Sequence, residues 1–220
     1  MDKKILAIIL GLILLLSACK KSQTESNELS DTQQKNEEGI GSDINSFFSK
    51  LGSNIEYKVK YDVKTTSGNK TTSMIQTMAL KGQNSVVSFE SKSSSTAIYT
   101  VDGKSYTCTI SGNNKVCFEA QSAQKNNTVQ TSTDLRTNWK SYNIVSKGIR
   151  TIAGKPAICF SYDVGGNTVE NCLSQEGVPV YMKITAKNME SEYMATEYSS
   201  SVSDSEFELP VEPTILPSYN

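Results

Sequence analysis

Histidine is absent from the 220 residues. Its absence removes Ser-His-Asp and Cys-His nucleophilic catalysis, His-ligated zinc and a histidine pH switch. A hydrolase built without it needs a Ser-Lys pair or paired carboxylates. The acids Asp62, Glu90, Glu170 and Glu190 are instead scattered over solvated positions. The chain therefore reads as non-enzymatic, with no cofactor. No CxxC pair occurs, so an all-cysteine zinc site lacks its usual spacing and no metal is expected. An excess of either charge is also missing. The 22 basic and 23 acidic residues leave a net charge of -1, which excludes the basic footprint of a nucleic-acid binder. The longest apolar run, Ile5 to Leu16, holds about 12 residues, whereas a stable membrane span needs roughly 20. No internal repeat is present.

What is there begins at the N-terminus. Asp2-Lys3-Lys4 leads into the short apolar run, and Leu16-Ser17-Ala18-Cys19 follows it. A basic start, an apolar stretch and small residues make an export signal. The cysteine placed directly after them resembles the lipobox of bacterial lipoproteins. That resemblance implies a signal peptide over 1–18, cleavage before Cys19, and a diacylglycerol with palmitate-type chains on its thiol. Each buried methylene contributes about 0.8 kcal/mol, and two or more chains hold a protein stably where one does not. Loss of Asp2, Lys3 and Lys4 brings the charge to about -2, still near neutral. Lys20 follows the lipidated position, which in a Gram-negative host implies the outer membrane. The expected location is thus the cell membrane or outer membrane, facing away from the cytoplasm.

Four cysteines remain, and two hairpins pair them. Gly112-Asn113 fits a two-residue turn, with glycine supplying the positive φ of type II′. Counting outward from Ser111 opposite Asn114 brings Cys108 opposite Cys117. Gly165-Gly166 turns a second hairpin, and the same count brings Cys159 opposite Cys172. Both fall on non-hydrogen-bonded pairs, where Cα atoms approach to about 4.5 Å, within disulfide reach. Two disulfides, Cys108–Cys117 and Cys159–Cys172, are expected, in keeping with an exported chain. In the second hairpin Ile158, Phe160, Tyr162, Val164, Val169 and Leu173 share an apolar face. Cys159, Ser161, Asp163, Thr168 and Glu170 take the other, which places this disulfide on a polar side.

Residues 19–42 are polar, lack aromatics and predict a disordered tether, with a span on the order of 25 Å. Ser42 or Asp43 caps a short helix carrying Ile44, Phe47, Phe48 and Leu51 on one stripe, ended by Gly52. From Ile55 the period becomes two, through Tyr57, Val59, Tyr61 and Val63. Further strands are predicted at 71–81, 85–92, 96–101, 105–111, 143–152, 178–187, 190–199 and 205–209, in addition to the cysteine hairpins. Asp102-Gly103 is a hairpin signal. Ser132 to Tyr142 predicts a second short helix around Trp139, the single tryptophan. Pro210, Pro213 and Pro217 make an extended tail. The β-rich domain is expected over 43–212 and the tail over 213–220.

The order of lipobox, polar tether, amphipathic helix, long strands, inserted helix and more strands resembles the LolA-like lipoprotein-carrier superfamily. Thr196-Glu197-Tyr198 and Phe207-Glu208-Leu209-Pro210 look like its closing strand and F-x-x-P finish, and the likeness covers about Asp43 to Pro213. It implies a mainly β fold: a curved antiparallel sheet, or half-barrel, with one or two short helices on its concave side and lipid between them. Candidate cavity residues are Tyr57, Val59, Tyr61, Met74, Met78, Leu80, Val87, Phe89, Phe160, Tyr162 and Met182, with Phe47, Phe48 and Trp139 from the helices. Methionine suits a lining that adapts to irregular ligands. Each of these residues also fits a filled core. The function expected is a membrane-anchored, monomeric lipoprotein that binds or carries a lipid. The alternative is a cell-surface interaction module that uses an edge strand. Asn69-Lys70-Thr71 and Asn126-Asn127-Thr128 fit the glycosylation sequon, whose use depends on the host.

Overall fold

Alternation builds the sheet. In strand β1 (Tyr57–Ser67), Tyr57, Val59, Tyr61 and Val63 are buried while Asp62 and Lys64 face solvent. Residues 56–120 and 141–215 are described by the structure, a computed structural model. β1 is followed by β2 (Lys70–Lys81), β3 (Asn84–Glu90), β4 (Ser94–Val101), β5 (Lys104–Ser111) and β6 (Asn114–Glu119). A second run holds β7 (Val145–Ile152), β8 (Lys155–Val164), β9 (Asn167–Ser174), β10 (Pro179–Ala186) and β11 (Met189–Ser199), and the short β12 (Thr214–Ile215) comes last. All join one twelve-stranded sheet in the order β12-β6-β5-β4-β3-β2-β1-β11-β10-β9-β8-β7. Two local meanders, β1–β6 and β7–β11, meet where β1 pairs antiparallel with β11. Among the described residues only β12 is parallel to its neighbour, with Thr214 opposite Phe118.

This is not the expected half-barrel with helices on a concave side. The sheet is open, with β12 and β7 at its two ends. Among the described residues the one helical element complete from end to end is a 3-10 turn, Asp204–Phe207. Periodicity specifies which residues alternate and which strands pair. How far a sheet coils depends on twist and bulges, here at Lys60/Tyr61, Pro179/Tyr181 and Ser146/Gly148. The signal peptide, Cys19, the tether, Phe47, Phe48, Asn126 and Trp139 lie outside the described residues.

The predicted strand at 205–209 is instead that 3-10 turn. Its apolar alternation suggested an extended segment, but Ser203 caps it by accepting from the Ser205 N–H, as hydroxyl caps do. Phe207 and Val202 then pack on Ala79 and Val86, beside Ala97, Tyr99 and Val101. Three polar contacts orient this segment. Lys58 Nζ lies 2.5 Å from Glu206 Oε1, Lys81 Nζ lies 2.8 Å from Asp204 Oδ1, and the Val202 N–H donates to Glu56 Oε1 at 2.6 Å. The ion pairs are solvated and contribute little; Phe207 burial contributes more. The chain thus leaves β11, crosses β1–β4 on the side away from Val59, and ends beside β6.

Candidate functional site

Both disulfides form as the hairpin count requires. Ser111 faces Asn114 and Cys108 faces Cys117, bonded at a Cα separation of 4.1 Å. Val164 faces Asn167 and Cys159 faces Cys172, bonded at 4.0 Å. The positive φ of Gly112, 58°, supplies the turn geometry that lets the first count close.

The expected polar setting of the second disulfide is wrong. Cys159 and Cys172 are fully buried, in one cluster with Val59, Val63, Ile152, Ala157, Val178 and Val180. The apolar face of the same hairpin forms a separate cluster of Phe160, Tyr162, Val169 and Leu173. β8 and β9 are therefore covered on both sides at this end, while Asp163 and Thr168 near the turn stay exposed. Arg150 completes the cover. Its guanidinium lies 4.6 Å from the Tyr181 ring centre and donates to Glu170 Oε1 at 3.0 Å. Local alternation showed one polar side, but it could not show that another part of the chain packs on it.

The candidate lining residues divide by burial. Tyr57, Val59, Tyr61, Met78, Phe160 and Tyr162 are buried core. Met74, Leu80 and Val87 are partly buried against that core, and Phe89 and Met182 are also half-buried. Cross-strand register extends the Val59 face outward from these. Met78 faces Val87, Val87 faces Ile98, Ile98 faces Thr107, and Thr107 faces Phe118. A parallel row runs Gln76, Phe89, Thr96, Thr109 and Val116. Residues in such rows share one face. Exposure rises along them, to 36% at Phe118 and 41% at Val116. Ile98, Val116 and Phe118 are absent from the sequence-derived set. The signal for the last two was present: they flank Cys117, so they point away from the Cys108–Cys117 disulfide.

Beside the apolar rows runs a hydroxyl row. Ser85 faces Thr100, and Thr100 faces Ser105. Ser105 is 4% exposed, and its Oγ has no hydrogen-bond partner among the described residues. An unpaired buried hydroxyl costs about 1–3 kcal/mol, so this one is a ready donor or acceptor at the border of the apolar rows.

The inner part of the face holds phenols out of water. Burial, helped by Tyr198, raises Tyr57 to about 12. Burial also lifts Tyr61 well above its ordinary value, and its hydroxyl donates to the Pro179 carbonyl. In the unfolded chain both phenols ionise near about pH 10. Their folded-state values are raised, so their contribution is complete below about pH 10 and is lost as the pH climbs above it, towards about 12 for Tyr57. Melting temperature is therefore expected to be level up to about pH 10 and to fall steeply above it. Tyr61→Phe, which removes one ionising group, should make that fall shallower. A flat alkaline profile would contradict the burial of these phenols.

Among the described residues no three of His, Cys, Asp or Glu gather as a metal site, and no helix is long and apolar enough to cross a membrane. No protein-family model matches the sequence, and no curated protein matches it. Solved structures do match. MucB superposes with a TM-score of 0.50 at 11% identity, over 79% of this chain and 64% of that one. This chain thus spans less than two thirds of MucB. An uncharacterized conserved protein from Thermus thermophilus gives a TM-score of 0.49 at 7% identity, over 80% of this chain and 98% of the other. A LolA superfamily protein from Nitrosomonas europaea gives 0.37 at 12%, over 76% and 96%. The likeness to MucB is one of fold.

Proposed function

We propose that this chain is an extracytoplasmic lipoprotein, held to a membrane by acyl groups on Cys19, that binds an amphiphile or other hydrophobic ligand on an open sheet face. The observation that carries this reading is the row Met78, Val87, Ile98, Thr107 and Phe118, with Phe89 and Val116 beside it, ending at exposed Val116 and Phe118 and bordered by the buried Ser105 hydroxyl, which has no partner among the described residues. The rows would take an apolar chain and the hydroxyl a polar head. Adaptable methionines stand at the inner end of this face, at Met74 and Met78. Exposed apolar surface of this kind marks interaction or ligand sites. The two disulfides support residence in an oxidising compartment, and the lipobox supports the anchor.

The test is native mass spectrometry of the full chain extracted in detergent from its own host. A bound lipid beyond the acyl modification is expected, and it should be lost in Phe118→Asp, where a charge stands in the proposed apolar row. Incorporation of a palmitate analogue is expected in the parent chain and not in Cys19→Ala. Repeated absence of bound lipid at high sensitivity would overturn the ligand reading, and incorporation that survives Cys19→Ala would overturn the anchor.

A further inference from the structure

We propose that the free edge of β7 is a docking strand for an extended polypeptide whose apolar residues are flanked by acidic ones. The two ends of the sheet differ. At one end β12 pairs with Phe118 and Glu119 of β6 and covers part of that edge. At the other, β7 pairs with β8 alone among the described residues. An uncovered edge strand is a template for another strand.

The register says which backbone groups are offered. β7 and β8 are joined by Ala153-Gly154, both at positive φ, 48° and 73°. Ile152 and Lys155 flank this two-residue turn, so theirs is a hydrogen-bonded pair, and pairs then alternate. Thr151 faces Pro156 and Ile149 faces Ile158 in the non-hydrogen-bonded positions. Proline, which has no N–H, fits that position. The N–H and C=O of Ile149 and Thr151 therefore point away from β8. The bulge between Ser146 and Gly148 limits the regular edge at its other end.

Side chains give the partner its chemistry. Ile149 is 75% exposed, more than Val116, Phe118, Val145 or Val211. The strand reads VSKGIRTI: Lys147 and Arg150 are its charges, and it has no acid. Arg150 already reaches Glu170. A second copy of β7 laid antiparallel would bring these cations towards one another, whereas an acidic strand would not.

Backbone exchange in the full chain tests this, with a short synthetic peptide of alternating valine and threonine ending in glutamates as the probe. The amides of Ile149 and Thr151 are expected to exchange about tenfold more slowly when it is added. Protection should fall when lysines replace the glutamates, and vanish when the peptide is N-methylated along both edges. Ile149→Pro, which removes an outward N–H and no ladder bond, should abolish binding. Where that variant does not fold, the N-methylated peptide gives the same discrimination. Absence of protection at these two amides overturns the proposal. So does equal protection by the lysine or N-methylated peptide, or protection that arises without peptide as protein concentration rises, which would assign the edge to a second copy.

Discussion

Phe160→Ala is expected to destabilise the fold by about 3–5 kcal/mol, the usual cost of emptying an aromatic site in a core. Phe160 has no exposed surface. It packs with Tyr162, Val169 and Leu173, and its ring centre lies 6.1 Å from that of Tyr162 in a stacked arrangement. It also stands opposite Asn171, whose buried amide donates to the Tyr162 hydroxyl at 3.2 Å. Truncation would leave a void beside that polar pair, and the void adds to the lost burial. Urea unfolding reads the effect, with Ile149→Ala as a comparison expected to stay within about 0.5 kcal/mol because its side chain is already in water. The outcome also bears on ligand binding. A loss below about 1 kcal/mol would mean that Phe160 lines accessible space and does not fill a core.

Removing the disulfide of the second hairpin is the second large effect. The Cys159→Ala/Cys172→Ala double variant is expected to lose about 3 kcal/mol through chain entropy, with a further loss from the opened core. Its sulfurs are enclosed with Val59, Ala157 and Val180, under Arg150. The matching change at Cys108 and Cys117, which are also buried but lie outside the apolar core clusters, should cost less, since that loop is shorter, with a sequence separation of 9 against 13. The loop term alone separates the two by only a few tenths of a kcal/mol. A clear difference between the double variants would therefore come from packing. Denaturant midpoints of both, measured beside the parent chain, decide the order. Equal losses would mean that the apolar cluster around Cys159 and Cys172 adds nothing beyond the burial both bridges share.

Local rules made the strands and hairpins legible. Tyr57 to Val63 alternates because one side of β1 is core, and the glycines at 112, 165 and 166 allow turns that bring each cysteine opposite its partner. What local rules could not supply was coverage. Cys159 and Ser161 look alike on a polar stripe, yet only the first is enclosed by distant residues. Alternation alone puts Phe207 in a strand, because it cannot distinguish a strand from a capped turn that plugs Ala79 and Val86. The sheet's openness escaped for a similar reason, since coiling accumulates over many strand pairs. At the candidate site, burial reassigned Phe160 and Tyr162 to the core, and register carried the accessible apolar surface outward to Phe118.

The order of strands also governs assembly. β1 lies in the middle of the sheet, yet its second neighbour is β11, so Lys58 must wait for Ser199. Each meander can zip locally, but the seam between them is a long-range closure, which is the slow kind. A chain emerging N-terminus first therefore holds a half-satisfied β1 until nearly all of it has been delivered. The finished sheet therefore cannot form while β11 is still missing, however much of the first meander is already paired.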